Sequence, residues 1–231
     1  MRRAALAVLA LALVLAVTAC GPTVRPTGAP SGKTPVIFVH GYTESPSMWD
    51  TAAAAFKAAG YTAGDITEFS YDSNLAASTV AAQLATEVDY LRQFTGKAKV
   101  DIVSHSYGAM VSRYCIELGN CQGKVSHWMS LAGADNGTSI ANLCAFFADS
   151  CKDMSGQTNT ITQLQANWSQ ITTQGIKVEV QWTTNDGVII PATASKELAP
   201  ATNVEVSSSL NHLNIFTDAG VIAETIAFLK S

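Results

Sequence analysis

The segment VDIVSHSYGAMVSRYCIEL, residues 100–118, decides the fold. Val100 to Ser104 is a short apolar run of strand length, and Tyr107, Met110, Val111, Tyr114 and Leu118 then recur at helical spacing until Gly119. A strand that passes into a helix through one tight turn is half of a βαβ unit, and the pattern repeats on both sides. Upstream, Val36-Ile-Phe-Val39 reads as a buried strand, and Ser45-Pro46 opens a helix that runs to about Ala59 before Gly60. A second strand falls within 61–69, and a helix over 76–94 carries Val80, Leu84, Val88 and Leu91 on one face. Downstream, strands are expected at Val125–Leu131, Val178–Thr183 and Val204–Ser207, with a last helix over about 218–230. The reading is an α/β domain: about six mostly parallel strands with helices on both faces. Between the fourth and fifth strands, residues 134–174 are rich in Gly, Asn, Thr and Ser, and they read as a long functional loop or flap.

The N-terminus carries a different message. Arg2-Arg3 precede an apolar run from Ala4 to Val17, too short to span a bilayer and of the right length for a signal peptide. Val17-Thr18-Ala19-Cys20 resembles the bacterial lipobox, which places cleavage before Cys20 and a lipid on that cysteine. The expected organisation is therefore a lipoprotein signal peptide over 1–19, a flexible Pro/Gly tether over 20–34 and a catalytic domain over 35–231. Such a protein would sit lipid-anchored on the outer face of the cell membrane, or be secreted.

Loss of Arg2 and Arg3 leaves 12 basic residues against 18 acidic ones, a mature charge of −6. With 14% charged residues, against roughly 25% in ordinary soluble proteins, no basic stripe is left for phosphates, which excludes nucleic acid as a partner. A monomer is the expected state. With Cys20 set aside, Cys115, Cys121, Cys144 and Cys151 form an even set in an exported chain, which reads as two disulfides. Three connectivities are open, and the short spacings favour Cys115–Cys121 and Cys144–Cys151. The spacing of His and Cys suits no zinc site, so no metal is expected.

The turn inside the quoted segment is Ser104-His105-Ser106-Tyr107-Gly108. In that strand–turn–helix setting it is a nucleophile elbow, with small residues two before and two after Ser106 because strand and helix nearly touch. Serine needs a base and an acid that orients the base. Of four histidines, His40, His105 and His127 read as structural, while His212 lies in a loop after the sixth strand, where α/β sites are built. Asp186 follows the fifth strand and completes the chain order Ser106, Asp186, His212; Asp135, just past the fourth strand, is the competitor. Backbone N–H groups of Tyr107 and Tyr42 are the candidate oxyanion donors. Trp49, Phe146, Phe147 and Trp182 are candidates for an acyl groove.

Taken together, Pro35-Val-Ile-Phe-Val-His-Gly-Tyr42, the Ser104–Gly108 elbow, Asn185-Asp-Gly187 and Asn211-His212 resemble the small secreted bacterial lipases of the class 2 group over nearly all of 35–230. Leu131-Ala-Gly-Ala-Asp-Asn-Gly-Thr138 is similar to the family segment after the fourth strand, although that segment more often reads G-G-P-N-H-G-T. The resemblance implies a minimal α/β-hydrolase fold with little or no lid. It also implies a serine carboxylesterase or triacylglycerol lipase that works on ester or lipid substrates without a cofactor. A polyester hydrolase, thioesterase or acyltransferase on the same triad is the alternative, and a non-catalytic surface binding lipoprotein the remote one.

Overall fold

The computed structural model describes residues 21–231, so the proposed leader and Cys20 lie outside the described residues. Six strands form: β1 (Val36–Val39), β2 (Ile66–Phe69), β3 (Val100–His105), β4 (Val125–Leu131), β5 (Lys177–Trp182) and β6 (Thr202–Glu205). They join one sheet in the order β2-β1-β3-β4-β5-β6, and every adjacent pair is parallel rather than mostly so. Helices α1 (Asp50–Ala58), α2 (Ala77–Thr95) and α3 (Tyr107–Glu117) are the expected crossovers, and α7 (Ala219–Phe228) is the expected last helix after β6. The first begins with a 3₁₀ turn over Pro46–Trp49, and Ser45 makes no side-chain cap.

Alternation along the strands sorts the core into two layers. Ile37, Val39, Val100, Ile102 and Trp128 face α2 and α3, while Val36, Phe38, Val103, Met129 and Leu131 pack with Trp49, Phe56 and α7 residues. All of these side chains are buried, as a parallel sheet covered on both faces requires. Trp49 and Trp182 belong to these layers, so neither lines an acyl groove. Trp49 lies 5.1 Å from the Phe38 ring. An indole placed opposite the sheet gains more from burial than it would at a solvent-filled mouth.

Two sequence expectations need correction. Residues 23–31, part of the stretch 20–34 read as a flexible tether, are laid along the domain instead. Val24 makes an antiparallel bridge to Glu68 of β2, Ser31 N–H donates to both Asp65 carboxylate oxygens, and Arg25 forms a 2.7 Å ion pair with Glu87 of α2. The edge of β2 offers unpaired backbone groups, and a Pro/Gly-rich chain can satisfy them without any apolar period. Residues 134–174 are likewise no open loop. They hold a 3₁₀ turn (Ser139–Leu143) and helices α4 (Asp149–Met154), α5 (Thr160–Asn167) and α6 (Ser169–Thr173), which bury Cys151, Met154, Leu164 and Ile171. Helices of one or two turns repeat too few apolar positions for periodicity to reveal them. The disulfides are Cys115–Cys121 and Cys144–Cys151.

Candidate active site

The strand order reverses direction at β1 and β3, and the elbow sits at the C-terminal end of β3 beside that switch point. Ser106 has φ 53° and ψ −125°, a conformation costly for a side-chain-bearing residue. It is held there from β4: Ser106 N–H donates to Leu131 O at 3.2 Å, and Ser106 O accepts from Ala134 N–H at 2.9 Å. Gly108 must be glycine, because a Cβ there would stand 2.4 Å from His40 O and 2.5 Å from Val39 O on the neighbouring strand. Ser104, which replaces the usual first glycine, fits by donating to Met129 O at 3.1 Å and accepting from Trp128 Nε1–H at 2.9 Å.

Loops after β5 and β6 bring the other two groups to Ser106. Ser106 Oγ lies 2.9 Å from His212 Nε2, and His212 Nδ1 lies 3.0 Å from Asp186 Oδ2. Asp186 Oδ1 accepts the N–H groups of Val188 and Ile189 at 2.9 and 2.6 Å, and His212 N–H donates to Asp186 O at 3.1 Å. The loops that carry Asp186 and His212 are thus built as one unit. Burial pushes the His212 imidazole below its ordinary value; the Asp186 hydrogen bond opposes this and the nearby His105 adds to it. Burial works to raise the Asp186 carboxyl, but the His212 hydrogen bond and charge and the two backbone donors outweigh it and hold the group low.

Asp135 goes elsewhere. It is fully buried, accepts from Ser130 Oγ–H at 2.6 Å, and lies near Arg113, whose guanidinium also meets Glu117 and Glu197 at 2.6 and 2.7 Å. Burial pushes Asp135 well above the ordinary carboxyl range and Glu117 up to about 7. This cluster ties α3 to the segments after β4 and before β6.

The remaining histidines divide. His40 stacks on Tyr71 with ring centroids 4.1 Å apart and accepts the Tyr71 hydroxyl at its carbonyl, and His127 Nδ1 meets Asp101 Oδ1 at 2.8 Å. His105 is fully buried beneath His212, its Nδ1 2.9 Å from Glu44 Oε2 and its Nε2 3.0 Å from His212 O. Glu44 escaped the sequence reading, and its position three residues after Gly41, in the turn that follows β1, was the available signal. Around Tyr42, Gly41 N–H donates to Glu44 Oε2 at 2.7 Å and Thr43 N–H to Ser73 Oγ at 3.0 Å. Tyr107 opens α3, where a helix leaves N–H groups unspent, and its buried hydroxyl donates to Leu75 O at 2.6 Å. Phe146 and Phe147 are exposed on the segment between Leu143 and α4. Asn74 O accepts Asp149 N–H at 2.9 Å, and Ile190 O accepts Ser139 N–H at 3.0 Å. Those bonds place the segment against loops on the same rim as the elbow. A groove of about 510 Å³ lined by Ile176, Glu179, Pro200 and Phe228 lies at the opposite, N-terminal ends of β5 and β6, and neither Ser106, Asp186 nor His212 lines it.

A parallel sheet in this order with a strained serine at the elbow defines an α/β hydrolase. The family model described as lipase (class 2) matches residues 33–222, so the chain belongs to the class 2 lipase family, ester-hydrolysing serine hydrolases. In structure it is similar to the mature form of Bacillus licheniformis lipase BlEst2, with a TM-score of 0.74 at 19% identity, covering 90% of this chain and 99% of that one. It is also similar to Aspergillus fumigatus lipase B, with a TM-score of 0.73 at 14% identity, covering 90% of this chain and 56% of that one. No curated protein matches significantly.

Proposed function

We propose that the protein is an exported, lipid-anchored carboxylesterase or lipase working through a Ser106-His212-Asp186 triad and an acyl-enzyme. The observation that carries this reading is the unbroken chain Ser106 Oγ, His212 Nε2, His212 Nδ1, Asp186 Oδ2, with links of 2.9 and 3.0 Å. Ser106 Oγ attacks the ester carbonyl carbon as His212 Nε2 takes its proton. The tetrahedral oxyanion is held by the N–H groups of Tyr42 and Tyr107, and His212 returns the proton to the leaving alcohol oxygen as the C–O bond breaks. Water then repeats the cycle on the acyl-Ser106 ester, giving the acid and free enzyme. Asp186, acceptor-only when ionised, keeps hydrogen on Nδ1 so that Nε2 is the basic nitrogen.

Ser106→Ala tests this. The variant should fold with an unchanged circular dichroism spectrum, take no fluorophosphonate label, and lose hydrolysis by about 10⁶ in kcat, since triad members act as a unit. A folded variant that keeps a tenth of wild-type kcat would sink the assignment. For organisation, the reading is a leader over 1–19 and lipid on Cys20, supported by the sequence pattern there. Retained membrane association in Cys20→Ser would contradict the anchor.

A further inference from the structure

His105 stands immediately before the proposed nucleophile, and its ring joins two other loops. Its Nδ1 meets Glu44 Oε2 at 2.9 Å, its Nε2 meets the carbonyl oxygen of His212 at 3.0 Å, and the same Glu44 oxygen accepts Gly41 N–H at 2.7 Å. Loops from β1, β3 and β6 are therefore cross-linked by three hydrogen bonds running through two side chains. We propose that Glu44 and His105 are positioning residues for ester hydrolysis, a clamp that holds the oxyanion loop in register with the loop carrying the general base. The proposal rests on reading Ser106, His212 and Asp186 as the triad.

Three features separate such a clamp from incidental packing. First, the His212 carbonyl can only accept, so His105 Nε2 donates to it, and the other ring nitrogen is left to meet the Glu44 carboxyl group. A fully buried ring with both nitrogens committed to loops other than its own is poor as mere filler. Second, residue 41 has to be glycine to admit it: a Cβ there would lie 2.5 Å from Glu44 Oε2, 3.1 Å from His105 Nδ1 and 2.8 Å from Ser106 Cβ. Third, the three anchored groups are adjacent to the reacting ones. Gly41 precedes the proposed donor Tyr42, His105 precedes Ser106, and the carbonyl belongs to His212 itself; the two imidazole centroids are 4.6 Å apart. A displacement of about 1 Å at such a point costs on the order of 10²-fold in rate.

The test uses the full-length enzyme and p-nitrophenyl butyrate, with kcat, KM and melting temperature measured for each variant. Glu44→Ala removes the acceptor for both Gly41 and His105, and kcat should fall about 10–100-fold with KM within about twofold, because positioning acts on the transition state and not on ground-state binding. Glu44→Gln keeps a carbonyl for Gly41 N–H and should recover most of that loss. His105→Gln keeps a donor toward the His212 carbonyl, and Glu44→Ala/His105→Gln should lose no more than the worse single variant, since the two residues form one chain. If His105→Gln fails to fold, the Glu44 variants decide alone, because Glu44 sits on a partly exposed turn. Glu44→Ala with kcat within twofold of wild type, a loss confined to KM, or equal losses in Glu44→Ala and Glu44→Gln would overturn the clamp. Ser106-dependent turnover that ignores Glu44→Ala overturns the clamp alone, whereas turnover surviving in Ser106→Ala overturns the triad reading and the clamp with it.

Discussion

Asp186 and Asp135 both follow a strand and both are buried, yet their surroundings give them opposite chemistry. Asp186 is held low by His212 and two backbone donors, which suits an ionised orienter, whereas Asp135 is raised by burial and answers to Ser130. Asp186→Asn should therefore cost on the order of 10⁴ in kcat, by presenting a donor where Nδ1–H needs an acceptor. Asp135→Asn should cost less than about fivefold, because it leaves the Ser106–His212–Asp186 hydrogen bonds of the proposed triad in place. Reversed magnitudes in a side-by-side assay would move the acid to the end of β4. His212 supplies a pH prediction. As the proposed base it would work when neutral, and a lowered pKa keeps it neutral further into acid, so the acid limb of kcat/KM should have its midpoint below the ordinary histidine value of 6.5. A midpoint above 6.5 would mean that the Asp186 and Glu44 charges outweigh burial at the base.

At the scale of elements, the elbow works because β3 and α3 are tied to β1 and β4 at backbone level, with glycine where carbonyls approach. The segment before α4 is the element whose behaviour is most open to experiment. Leu143, Phe146 and Phe147 are 80%, 95% and 62% exposed, the two phenylalanines on the loop closed by Cys144–Cys151 and Leu143 just ahead of it. So much apolar surface, pinned at both ends on the rim, is positioned to meet long acyl chains. Cys144→Ser/Cys151→Ser should lower stability by about 2–3 kcal/mol on the chain-entropy account of a loop this short. It should also reduce kcat/KM on long-chain p-nitrophenyl esters by more than on the acetate, which is too short to reach the loop. Equal losses across a series from two to sixteen carbons would place the segment outside the acyl path.

Across the whole molecule, the stretch ahead of β1 is part of the folded body. Val24 adds to the β2 edge, and Ser31 shares the buried Asp65 carboxylate with Thr62. A chain begun at Thr34 should keep its kcat at 25 °C, since no group of the site is removed. Its melting temperature should fall by about 4–8 °C, the equivalent of roughly 2 kcal/mol from the lost Val24 and Ser31 bonds. An unchanged melting temperature would return this stretch to the status of a tether, and a lost kcat would tie it to the site.

The βα alternation, the six strands and the strand–turn–helix at Ser106 are legible in the sequence, as is the chain order in which Ser106, Asp186 and His212 stand as candidates. These are local signals: apolar runs of strand length, helical periods of three turns or more, and small residues flanking a nucleophile. Even the two disulfides were legible, because short spacings limit which cysteines can meet. Other features depend on partners far apart in the chain. Whether Asp186 or Asp135 reaches His212, that Arg25 meets Glu87, and that Glu44, His105 and the His212 carbonyl form one line all depend on how three or four loops converge at one end of the sheet. No periodicity encodes those meetings; sheet order and loop packing create them, and the part Glu44 plays shows only once β1, β3 and β6 are set side by side.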